Sequence, residues 1–245
     1  MYFPVFQLNC CLIITRMKEI KNKCNLKGCL LCRQCLEEWI PALDANRKCY
    51  DFRKGELLFR EGDDLKGMYF INKGLVKVHK KWGNEKELIL RIARDGDIVG
   101  HRGLGADLIY PVSGTALEPT DVCFVDLYFF NSTLRVNHDL LFGLMMFFAA
   151  ELKESEKRMR NMAHMTVKGR IANALLFLKN KFGVTPEGTI NLLLSRQDLA
   201  SYTGTTYETL FRVMNELAEE NAIRLNGKSI TLVSEDILLD YTKDK

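Results

Sequence analysis

The chain has 245 residues, of which 47% are hydrophobic, and a formal net charge of +4. Its length and apolar content suit one large or two modest domains with a real core. Charge alone does not indicate nucleic-acid binding, because residues 166–245 carry ten basic and ten acidic side chains. Eight cysteines without an export signal argue against a disulfide scaffold. Since no apolar run approaches the ~18 residues of a membrane span, we expect a cytoplasmic protein without membrane contact.

Residues 1–23 are expected to be disordered or not part of the natural chain. Residues 1–16 are apolar, with no basic stretch before Arg16 and no small-residue cleavage site. Polar sequence starts at Met17, which predicts that translation begins there. Mass spectrometry of the natural N-terminus tests this hypothesis, and peptides from Tyr2 to Thr15 would contradict it.

Residues 24–138 are predicted to form a sensor domain that opens with a cysteine-bearing arm. Its spacing is Cys24-x4-Cys29-x2-Cys32-x2-Cys35. Thiolates bind soft metals and iron–sulfur clusters, and a short loop can converge on one centre. An iron–sulfur cluster or zinc is therefore a candidate. The alternative is a set of reduced, unligated thiols in a loosely ordered arm.

The rest of this segment reads as β-rich sequence after a helix over residues 35–44. From about Cys49 to Leu127, glycines separate short runs with alternating hydrophobicity, such as Met68–Ile71 and Leu75–His79. Short strands with turn signals every ~8–12 residues predict a small antiparallel barrel or sandwich.

A long helix is predicted within residues 139–165, from about Leu140 to His164, with an end or kink near Met165. Apolar residues alternate by four and three along it, which is the 3.5-residue period of a coiled coil. We expect this helix to pair two copies of the chain, although burial against the β-domain is an alternative. The predicted seam consists of Leu141, Met145, Phe148, Leu152, Ser155, Met159 and Met162.

Residues 166–245 are predicted to begin with an amphipathic helix, Val167–Phe182, and to continue into two short helices. Ser195 with Asp198 forms a capping-box-like pair, which predicts one helix start. Thr205 with Glu208 forms another. Gly204 between the two helices can adopt the positive φ that turns the chain. This pattern is typical of a helix-turn-helix, whose second helix enters the major groove of DNA.

A β-hairpin is predicted after the second helix. Ile223–Leu225 and Ser229–Leu232 flank Asn226-Gly227, which is a strong short hairpin signal. Together these elements predict a winged helix-turn-helix. The alternative is an ordinary helical hairpin with a terminal β-ribbon. No nucleophile elbow, Walker loop or paired-carboxylate motif indicates an enzyme.

The order of these elements resembles the Crp/Fnr family, that of the cyclic-AMP receptor protein and the fumarate-and-nitrate-reduction regulator, over about Cys24 to Val233. The residues that carry the resemblance are Lys54-Gly55-Glu56-x-x-Phe59-x-Glu61-Gly62-Asp63, Tyr69-x-Ile71-x-x-Gly74-x-Val76-Lys77, Gly96-Asp97-Ile98-Val99-Gly100 and Arg196-Gln197-Asp198-Leu199-Ala200-x-x-x-Gly204-x-x-x-Glu208-Thr209-x-x-Arg212. The resemblance implies an α+β fold: a cyclic-nucleotide-binding-like antiparallel β-barrel or jelly roll, a dimerisation helix and a winged helix-turn-helix. It also implies a homodimeric transcription regulator that binds palindromic double-stranded DNA and contacts RNA polymerase.

The predicted DNA-binding residues are Arg196, Gln197, Thr205, Thr206, Tyr207, Glu208, Arg212 and Lys228. Glu208 can accept from cytosine N4, and Arg212 can bind guanine O6 and N7. Tyr207 stands where the cyclic-AMP receptor branch has an arginine. Contacts to phosphates are expected from Gln197, Lys168, Arg170 and Lys228.

The signal is expected to differ from cyclic AMP. In cyclic-AMP binders of this family, a Gly-Glu-Leu motif presents a carboxylate to the ribose, whereas this chain has Gly100-His101-Arg102. The family's phosphate-binding Arg-Ser pair falls near Tyr110-Pro111, and proline offers neither an N–H nor a hydroxyl. Gly100, His101, Arg102 and Tyr110 are the expected effector pocket. A redox, oxygen or nitric oxide signal is favoured. The alternative function is a barrel-domain signalling module that binds another small anionic effector or acts through a protein partner.

The resemblance to the oxygen-sensing branch implies a [4Fe-4S] cluster. That branch binds its cluster through N-terminal cysteines and one cysteine of the barrel, and Cys123 falls where the barrel cysteine belongs. The expected ligands are therefore Cys29, Cys32, Cys35 and Cys123, with Cys24 as the substitute. Zinc or no metal is the alternative.

Overall fold

The computed structural model describes residues 18–19, 28–83 and 86–243. A β-sandwich is followed by a long helix and a C-terminal domain of helices with a β-hairpin. The predicted start at Met17 and the candidate ligand Cys24 lie outside the described residues. Within them, no helix combines the length and the apolar character that crossing a membrane requires.

The sandwich consists of two antiparallel sheets that face each other. In the described residues its strands are β1 Lys18–Glu19, β2 Lys48–Phe52, β3 Leu57–Phe59, β4 Gly67–Lys73, β5 Val76–Trp82, β6 Lys86–Ala93, β7 Ile98–Val99, β8 Ser113–Ala116 and β9 Thr120–Asp126. One sheet has the order β1-β2-β9-β4-β7 and the other β3-β8-β5-β6. Tyr69 of β4 stacks on Phe59 of β3 with the ring centroids 5.6 Å apart, and both side chains are buried between the sheets. The predicted antiparallel β-domain is confirmed, in its two-sheet, jelly-roll form.

Short helices precede the sandwich and long ones follow it. The arm forms α1 Leu30–Gln34, a 3₁₀ turn at Glu37–Trp39 and α2 Ile40–Asn46, so the helix expected over residues 35–44 is split. Strand β9 leads into α3 Leu127–Val136, because the Asp126 side chain caps it by accepting from Phe129 N at 3.0 Å. The long helix α4, His138–His164, ends where predicted, since Met165 is extended at ψ 139°.

The C-terminal domain packs four helices around one core and adds a wing. Its elements are α5 Val167–Phe182, α6 Arg196–Thr203, α7 Tyr207–Glu219, β10 Ile223–Asn226, β11 Ser229–Leu232 and α8 Glu235–Asp240. Thr166 caps α5 by accepting from Gly169 N at 3.1 Å. Ile171, Leu175 and Leu217 are fully buried. The predicted helix Val167–Phe182 is confirmed at both ends.

Strand β6 joins the two domains, because its side chains contribute to both cores. Ile89 and Ile92 are 0% and 2% exposed, and they pack into the core of the C-terminal domain. Helix α6 lies against this strand. Lys77 Nζ reaches across to Asp198 Oδ1 at 2.9 Å and also binds Glu87 Oε1 at 2.7 Å. The C-terminal domain is therefore docked on the outer face of the sandwich.

The exposed apolar surface of α4 includes most of the predicted seam and differs from it at two positions. Met145, Leu152 and Met159 are 54%, 61% and 68% exposed, as a pairing surface requires. Phe148 instead packs on the sandwich core, and Met162 contacts the turn at Gly204. Phe148 and Met162 are therefore half-buried in one copy of the chain, whereas the predicted seam stays a prediction. The exposed apolar side chains on the same side of the helix as Leu152 are named the α4 stripe, and they are Leu141, Phe142, Met145, Ala149, Leu152, Met159 and Ala163. Met146, 52% exposed, lies to one side of this stripe.

Candidate nucleic-acid interface

The first helix of the helix-turn-helix begins as the sequence predicts. The Ser195 hydroxyl accepts from Asp198 N at 3.0 Å and donates to Asp198 Oδ2 at 2.5 Å. One side chain therefore satisfies an N–H group at the helix start and orients the carboxylate that Lys77 contacts. The helix start is thus coupled to the docking of the domain on the sandwich.

The turn between the helices depends on Gly204, while the cap of the second helix lies one residue later than predicted. Gly204 ends α6 in the left-handed region, at φ 64° and ψ 44°, and an added Cβ would lie 2.6 Å from Met162 Cε. Thr206, rather than Thr205, caps α7 by accepting from Thr209 N at 3.2 Å. The predicted Thr205–Glu208 capping pair is therefore wrong, and Glu208 lies in the first turn without a capping role.

Helix α7 buries one side and presents the other to solvent. Its buried side chains are Leu210, Val213, Met214 and Leu217. Residues four apart lie on the same face of a helix, and Glu208 and Arg212 are both exposed opposite this apolar stripe. The Arg212 side chain is 68% exposed, and its Nη1 contacts Glu216 Oε1 at 2.6 Å. Such an exposed ion pair contributes little stability, so the guanidinium can exchange it for a base edge.

An aromatic pair on α7 extends this surface, and only one of its members was predicted. Tyr207 and Phe211 are 43% and 53% exposed. Their ring centroids are 6.4 Å apart and the ring planes are 16° from parallel. Phe211 is the functional candidate that the sequence prediction missed. Its position four residues after Tyr207, off the buried stripe, is the signal that identifies it.

Arg196 and the wing contact each other, which changes the predicted role of Arg196. Its Nη2 donates to Gly227 O at 3.0 Å and its Nη1 to Lys228 O at 3.5 Å. Asn226 pairs with Ser229, so the two turn residues are Gly227 and Lys228 rather than Asn226-Gly227. Gly227 adopts φ 54°. Arg196 therefore holds the wing turn, and the exposed Lys228 lies at its tip.

Two of the predicted phosphate contacts are engaged within the protein. Lys168 Nζ binds Glu220 Oε1 at 2.6 Å and lies 4.5 Å from the centre of the Tyr241 ring. Burial alone lowers its pKa, but the hydrogen bonds to Glu220 and Tyr241 raise the pKa of Lys168 to about 12. Arg170 donates to Thr203 O at 3.1 Å and so contacts the last carbonyls of α6. These two cations stabilise the domain, whereas Gln197 and Lys228 are exposed.

The predicted effector residue His101 is buried among aromatic rings. Its ring centre lies 5.0 Å from that of Phe147 and 5.4 Å from that of Phe148 on α4. Burial, followed by the charges of Arg91 and Arg102, lowers the pKa of His101 to about 3. A neutral imidazole therefore stands in a packed environment where the cyclic-AMP binders of the family present a carboxylate.

Two of the other predicted effector residues, Arg102 and Tyr110, line different cavities. Gly100 adopts φ 89° beside Tyr110, whose hydroxyl donates to Gly67 O at 2.9 Å and whose ring stacks on Phe59 in the sandwich core. Arg102 points elsewhere and pairs with Glu151 at 2.9 Å. It lines a cavity of about 330 Å³ between the sandwich, α4 and the C-terminal domain. The charged residues of that cavity are Arg91, Arg102, Arg158, Lys181, Glu151 and Glu154.

The three described cysteines of the arm lie along α1, one within the helix and one at each end. Cys29 is its N-cap, and its Sγ lies 3.4 Å from Cys32 Sγ. Cys35 is the C-cap, and its Sγ donates to Asn137 Oδ1 at 3.3 Å. Burial raises the pKa of the Cys35 thiol. The first two thiols are thus close neighbours, whereas the third is held by the junction of α3 and α4.

The barrel cysteine Cys123 contacts a different partner from the one predicted. Its Sγ lies 3.9 Å from Cys49 Sγ. Across the described part of the chain, no three His, Cys, Asp or Glu side chains are grouped so that they could hold a metal ion. The set Cys29, Cys32, Cys35 and Cys123 therefore does not fit a four-thiolate cluster in this arrangement. Cys24, the predicted substitute, lies outside the described residues.

Comparison with known proteins supports both halves of this architecture. The family model for the cyclic nucleotide-binding domain matches residues 50–137, and that for the Crp-like helix-turn-helix domain matches residues 169–241. A β-sandwich sensor followed by an exposed reading helix and a wing defines a DNA-binding transcription regulator.

Known relatives identify the family. The anaerobic regulatory protein of Bacillus subtilis (strain 168) is 30% identical over 200 residues, which cover 80% of this chain and 83% of that protein. The transcriptional activator protein Anr of Pseudomonas protegens is 27% identical over 220 residues, or 86% of this chain and 90% of Anr. The chain belongs to the Crp/Fnr family of transcription regulators, whose members are not enzymes.

Solved structures share the fold at lower identity. FixK2 from Bradyrhizobium japonicum superposes with a TM-score of 0.72 at 22% identity, covering 81% of this chain and 98% of FixK2. The c-di-GMP responsive regulator CLP from Xanthomonas campestris gives 0.70 at 20% identity, covering 80% and 99%. These likenesses confirm the predicted succession of β-domain, helices and helix-turn-helix.

Proposed function

We propose that this protein is a homodimeric, sequence-specific regulator that reads palindromic DNA and responds to a redox, oxygen or nitric oxide signal rather than to cyclic AMP. The observation that carries the DNA-reading part is the exposed face of α7, where Glu208 and Arg212 lie opposite a fully buried stripe. A helix with a buried anchoring side and an exposed carboxylate and guanidinium suits insertion into the major groove.

The proposed dimer is supported by the α4 stripe. Large apolar side chains exposed at a 3.5-residue period are typical of a helix that pairs with a second copy of itself. Two copies related by a two-fold axis would present two reading helices, which suits half-sites one DNA turn, or ~34–36 Å, apart. Palindromic double-stranded DNA is thus the proposed partner, with RNA polymerase as the proposed partner at the promoter.

Within each half-site the roles are divided by exposure and by existing contacts. Arg212 is proposed to read guanine and Glu208 cytosine. Tyr207 and Phe211 are proposed to supply apolar contacts in the groove, and the thymine methyl group is the apolar feature there. Gln197 and the wing-tip Lys228 are proposed to contact phosphates.

The proposal that cyclic AMP is not the signal is supported by the surroundings of His101. A buried neutral imidazole packed between Phe147 and Phe148 offers no carboxylate to a ribose. The names of two relatives, an anaerobic regulatory protein and Anr, favour an oxygen-linked signal. Calorimetry with cyclic AMP is expected to detect no binding, and micromolar affinity would refute the proposal.

Metal binding is proposed at the arm, with Cys29 and Cys32 as the thiols that already lie together and with Cys24 and Cys35 as the further donors, which requires Cys35 to leave its hydrogen bond to Asn137 Oδ1. The 3.4 Å separation of Cys29 Sγ and Cys32 Sγ supports this proposal, because two thiolates that bind one metal ion must lie close together. An iron–sulfur cluster bound there would supply sensitivity to oxygen or nitric oxide, and zinc would supply structure only. Iron, zinc and acid-labile sulfide analysis of protein purified without oxygen distinguishes the two; a colourless protein without metal would contradict both.

A second candidate signal is a small anionic effector, and the cavity of about 330 Å³ favours it. Four cationic and two acidic side chains line the cavity together with apolar ones. Its walls belong to both domains, so a ligand there would change how they dock. Thermal-shift screening of small organic anions tests this candidate. The candidate is wrong if no anion stabilises the protein at millimolar concentration, and that result would leave the metal proposal unaffected.

The central experiment is selection of bound duplexes from a random pool, followed by gel shifts on the selected sequence. The expected result is a palindrome bound by two copies of the chain, with at least tenfold preference over a scrambled duplex. Selection should be repeated with reduced and oxidised protein. Recovery of no consensus sequence in either state would overturn the proposal, and recovery of a single half-site bound by one copy would overturn the dimer.

A further inference from the structure

Two cysteines from distant parts of the sequence lie directly opposite each other in the first sheet. Cys49 on β2 and Cys123 on β9 are register partners in the antiparallel pairing of these strands. Their Sγ atoms are 3.9 Å apart. Both side chains are buried, at 7% and 4% exposure. In the arm, Cys29 and Cys32 form a second close contact between thiols.

A buried guanidinium contacts both sulfurs of the pair. Arg47 Nη1 lies 3.4 Å from Cys123 Sγ and 3.6 Å from Cys49 Sγ. The Arg47 side chain is 3% exposed, and its Nη2 is held by Asp44 Oδ1 at 2.6 Å. A fixed cation against both sulfurs stabilises the negative charge that sulfur carries when it attacks an oxidant or another sulfur.

We propose that Cys49 and Cys123 form a reversible disulfide, and that this pair is a redox site of the sensor domain. Opposite residues of antiparallel strands have Cα atoms about 4.5–5.5 Å apart, which lies within the range of about 4.4–6.8 Å seen for disulfides. Side-chain rotation must therefore bring the sulfurs from 3.9 Å to the bonding distance of about 2 Å, and the strands need not separate. The inference goes beyond the proposed function and does not depend on DNA binding.

The chemistry balances with a peroxide as oxidant. One thiol, as its thiolate, attacks a peroxide oxygen; the O–O bond breaks, a sulfenic acid forms and the first water leaves. The second thiol then attacks the sulfenic sulfur, the S–S bond forms and the second water leaves. Two thiols and one hydrogen peroxide give one disulfide and two waters, so the cysteines lose two electrons and two protons. A reducing dithiol reverses the reaction by exchange.

The position of the pair connects it to the rest of the molecule. Strand β9 continues at Asp126 into α3, and α3 packs on α4. A covalent link between β2 and β9 would therefore restrain the strand from which the helical part of the chain begins. The restraint acts on the sandwich and requires no metal.

The test uses the full-length protein, purified reduced and treated with increasing hydrogen peroxide, then alkylated, digested and mapped by mass spectrometry. The expected result is a linked peptide pair containing Cys49 and Cys123, lighter by two hydrogens and released by dithiothreitol. Cys49→Ser and Cys123→Ser should each abolish the link. Arg47→Leu should slow its formation at least fivefold, whereas Arg53→Leu, at an exposed arginine a few residues away, should leave the rate unchanged.

Two results would overturn the inference. In the first, the peroxide treatment oxidises the arm cysteines fully, but Cys49 and Cys123 still react with the alkylating reagent as thiols once the protein is unfolded. The other is a linked peptide that joins Cys123 to Cys29, Cys32 or Cys35, which would return Cys123 to the arm cysteines. Because the link is mapped first in the unmodified chain, a variant that fails to fold does not remove the test.

Discussion

At the scale of single residues, exposure and existing contacts separate the side chains that are available to bind DNA from those that build the domain. Arg212 and Arg196 both belong to the helix-turn-helix, yet only Arg212 has a largely exposed side chain. The Arg196 guanidinium instead donates hydrogen bonds to the carbonyls of the wing turn. Residue type alone therefore overestimates the number of base and phosphate contacts, since arginine also serves to satisfy backbone carbonyls.

Replacing Arg212 by alanine should weaken binding to the selected operator and relax one base position. The expected loss is about 1–3 kcal/mol, or roughly 5- to 150-fold in affinity, because a bidentate contact to guanine is removed. Lys228→Ala is the matched control at a proposed phosphate contact. It should weaken binding to all duplexes uniformly and reduce the slope of log affinity against log salt concentration by about 1. Gel shifts on single-base operator variants check both. A uniform loss for Arg212→Ala would identify it as a phosphate contact instead.

His101 should make stability depend on pH in a defined window. Its folded-state pKa is lowered to about 3 from 6.5, so between these values the unfolded chain takes up a proton that the folded protein does not. Stability from this group is therefore complete above pH 6.5 and is lost as pH falls towards 3, at about 1.4 kcal/mol per pH unit. His101→Leu should remove that part of the slope in urea unfolding from pH 7 to 4. His138→Leu, at an exposed position on α4, should retain it; equal slopes in all three proteins would contradict the assignment.

At the scale of elements, α4 shows how one helix serves two surfaces. Its inward side carries Phe147 and Phe148 onto the sandwich and Arg158 onto the docked C-terminal domain. Its outward side is the α4 stripe. The spacing of apolar residues in the sequence cannot assign a large apolar side chain to the inward or the outward side of a helix when both sides are apolar. Residues of either side then recur at nearly the same interval.

A charge introduced into the α4 stripe should separate the proposed dimer. Leu152→Asp places a carboxylate at a side chain that is 61% exposed in one copy, and burying that charge between two helices would be unfavourable. Light scattering is expected to give the mass of one chain, with DNA affinity reduced more than tenfold. Lys157→Asp, exposed on the same helix but off the stripe, should leave the dimer intact. A dimer that survives Leu152→Asp would place the interface elsewhere.

The elements of the reading domain were largely predictable because their signals are local. Ser195, Gly204 and the hairpin residues act within a few positions of themselves, and the structure has the helices and wing there. The sequence predicted Thr205 as the cap of α7, whereas Thr206 caps it, because two adjacent threonines have equal capping chemistry. The contact between Cys49 and Cys123 was not predictable, since it depends on the register of two strands more than 70 residues apart in sequence. The same holds for Lys168, whose acidic partners come from another helix.

At the scale of the whole molecule, a small number of polar contacts docks the C-terminal domain on the sandwich. Lys77 bridges to Asp198 at the start of α6. Arg158 of α4 donates to Ile89 O at 3.0 Å and Tyr202 O at 2.9 Å, and its guanidinium lies 4.6 Å from the centre of the Tyr202 ring. One side chain therefore joins three elements: the long helix, the shared strand and the first helix of the reading domain.

Replacing Arg158 by alanine should loosen this docking. The expected result is faster amide exchange in α6 and β6, because the carbonyls that Arg158 contacts lose their partner, together with a lower melting temperature. Arg160→Ala is the control, since that exposed arginine on the same helix contacts its neighbour Asn161. Exchange mass spectrometry checks both variants. Unchanged exchange in α6 and β6 of Arg158→Ala would show that apolar contacts alone hold the domains together.

Because β6 contributes side chains to the cores of both domains, it limits how domains can be exchanged between regulators of this family. Ile89 and Ile92 complete the hydrophobic interior of the reading domain although they are encoded in the middle of the sensor. A hybrid protein joined at the hinge after α4 would take β6 from one regulator and α6 from another. The apolar side of α6 would then pack against a strand whose side chains do not match it. Compatible exchanges must therefore carry the outward-facing residues of that strand along with the reading domain, so the natural unit of recombination is discontinuous in the gene.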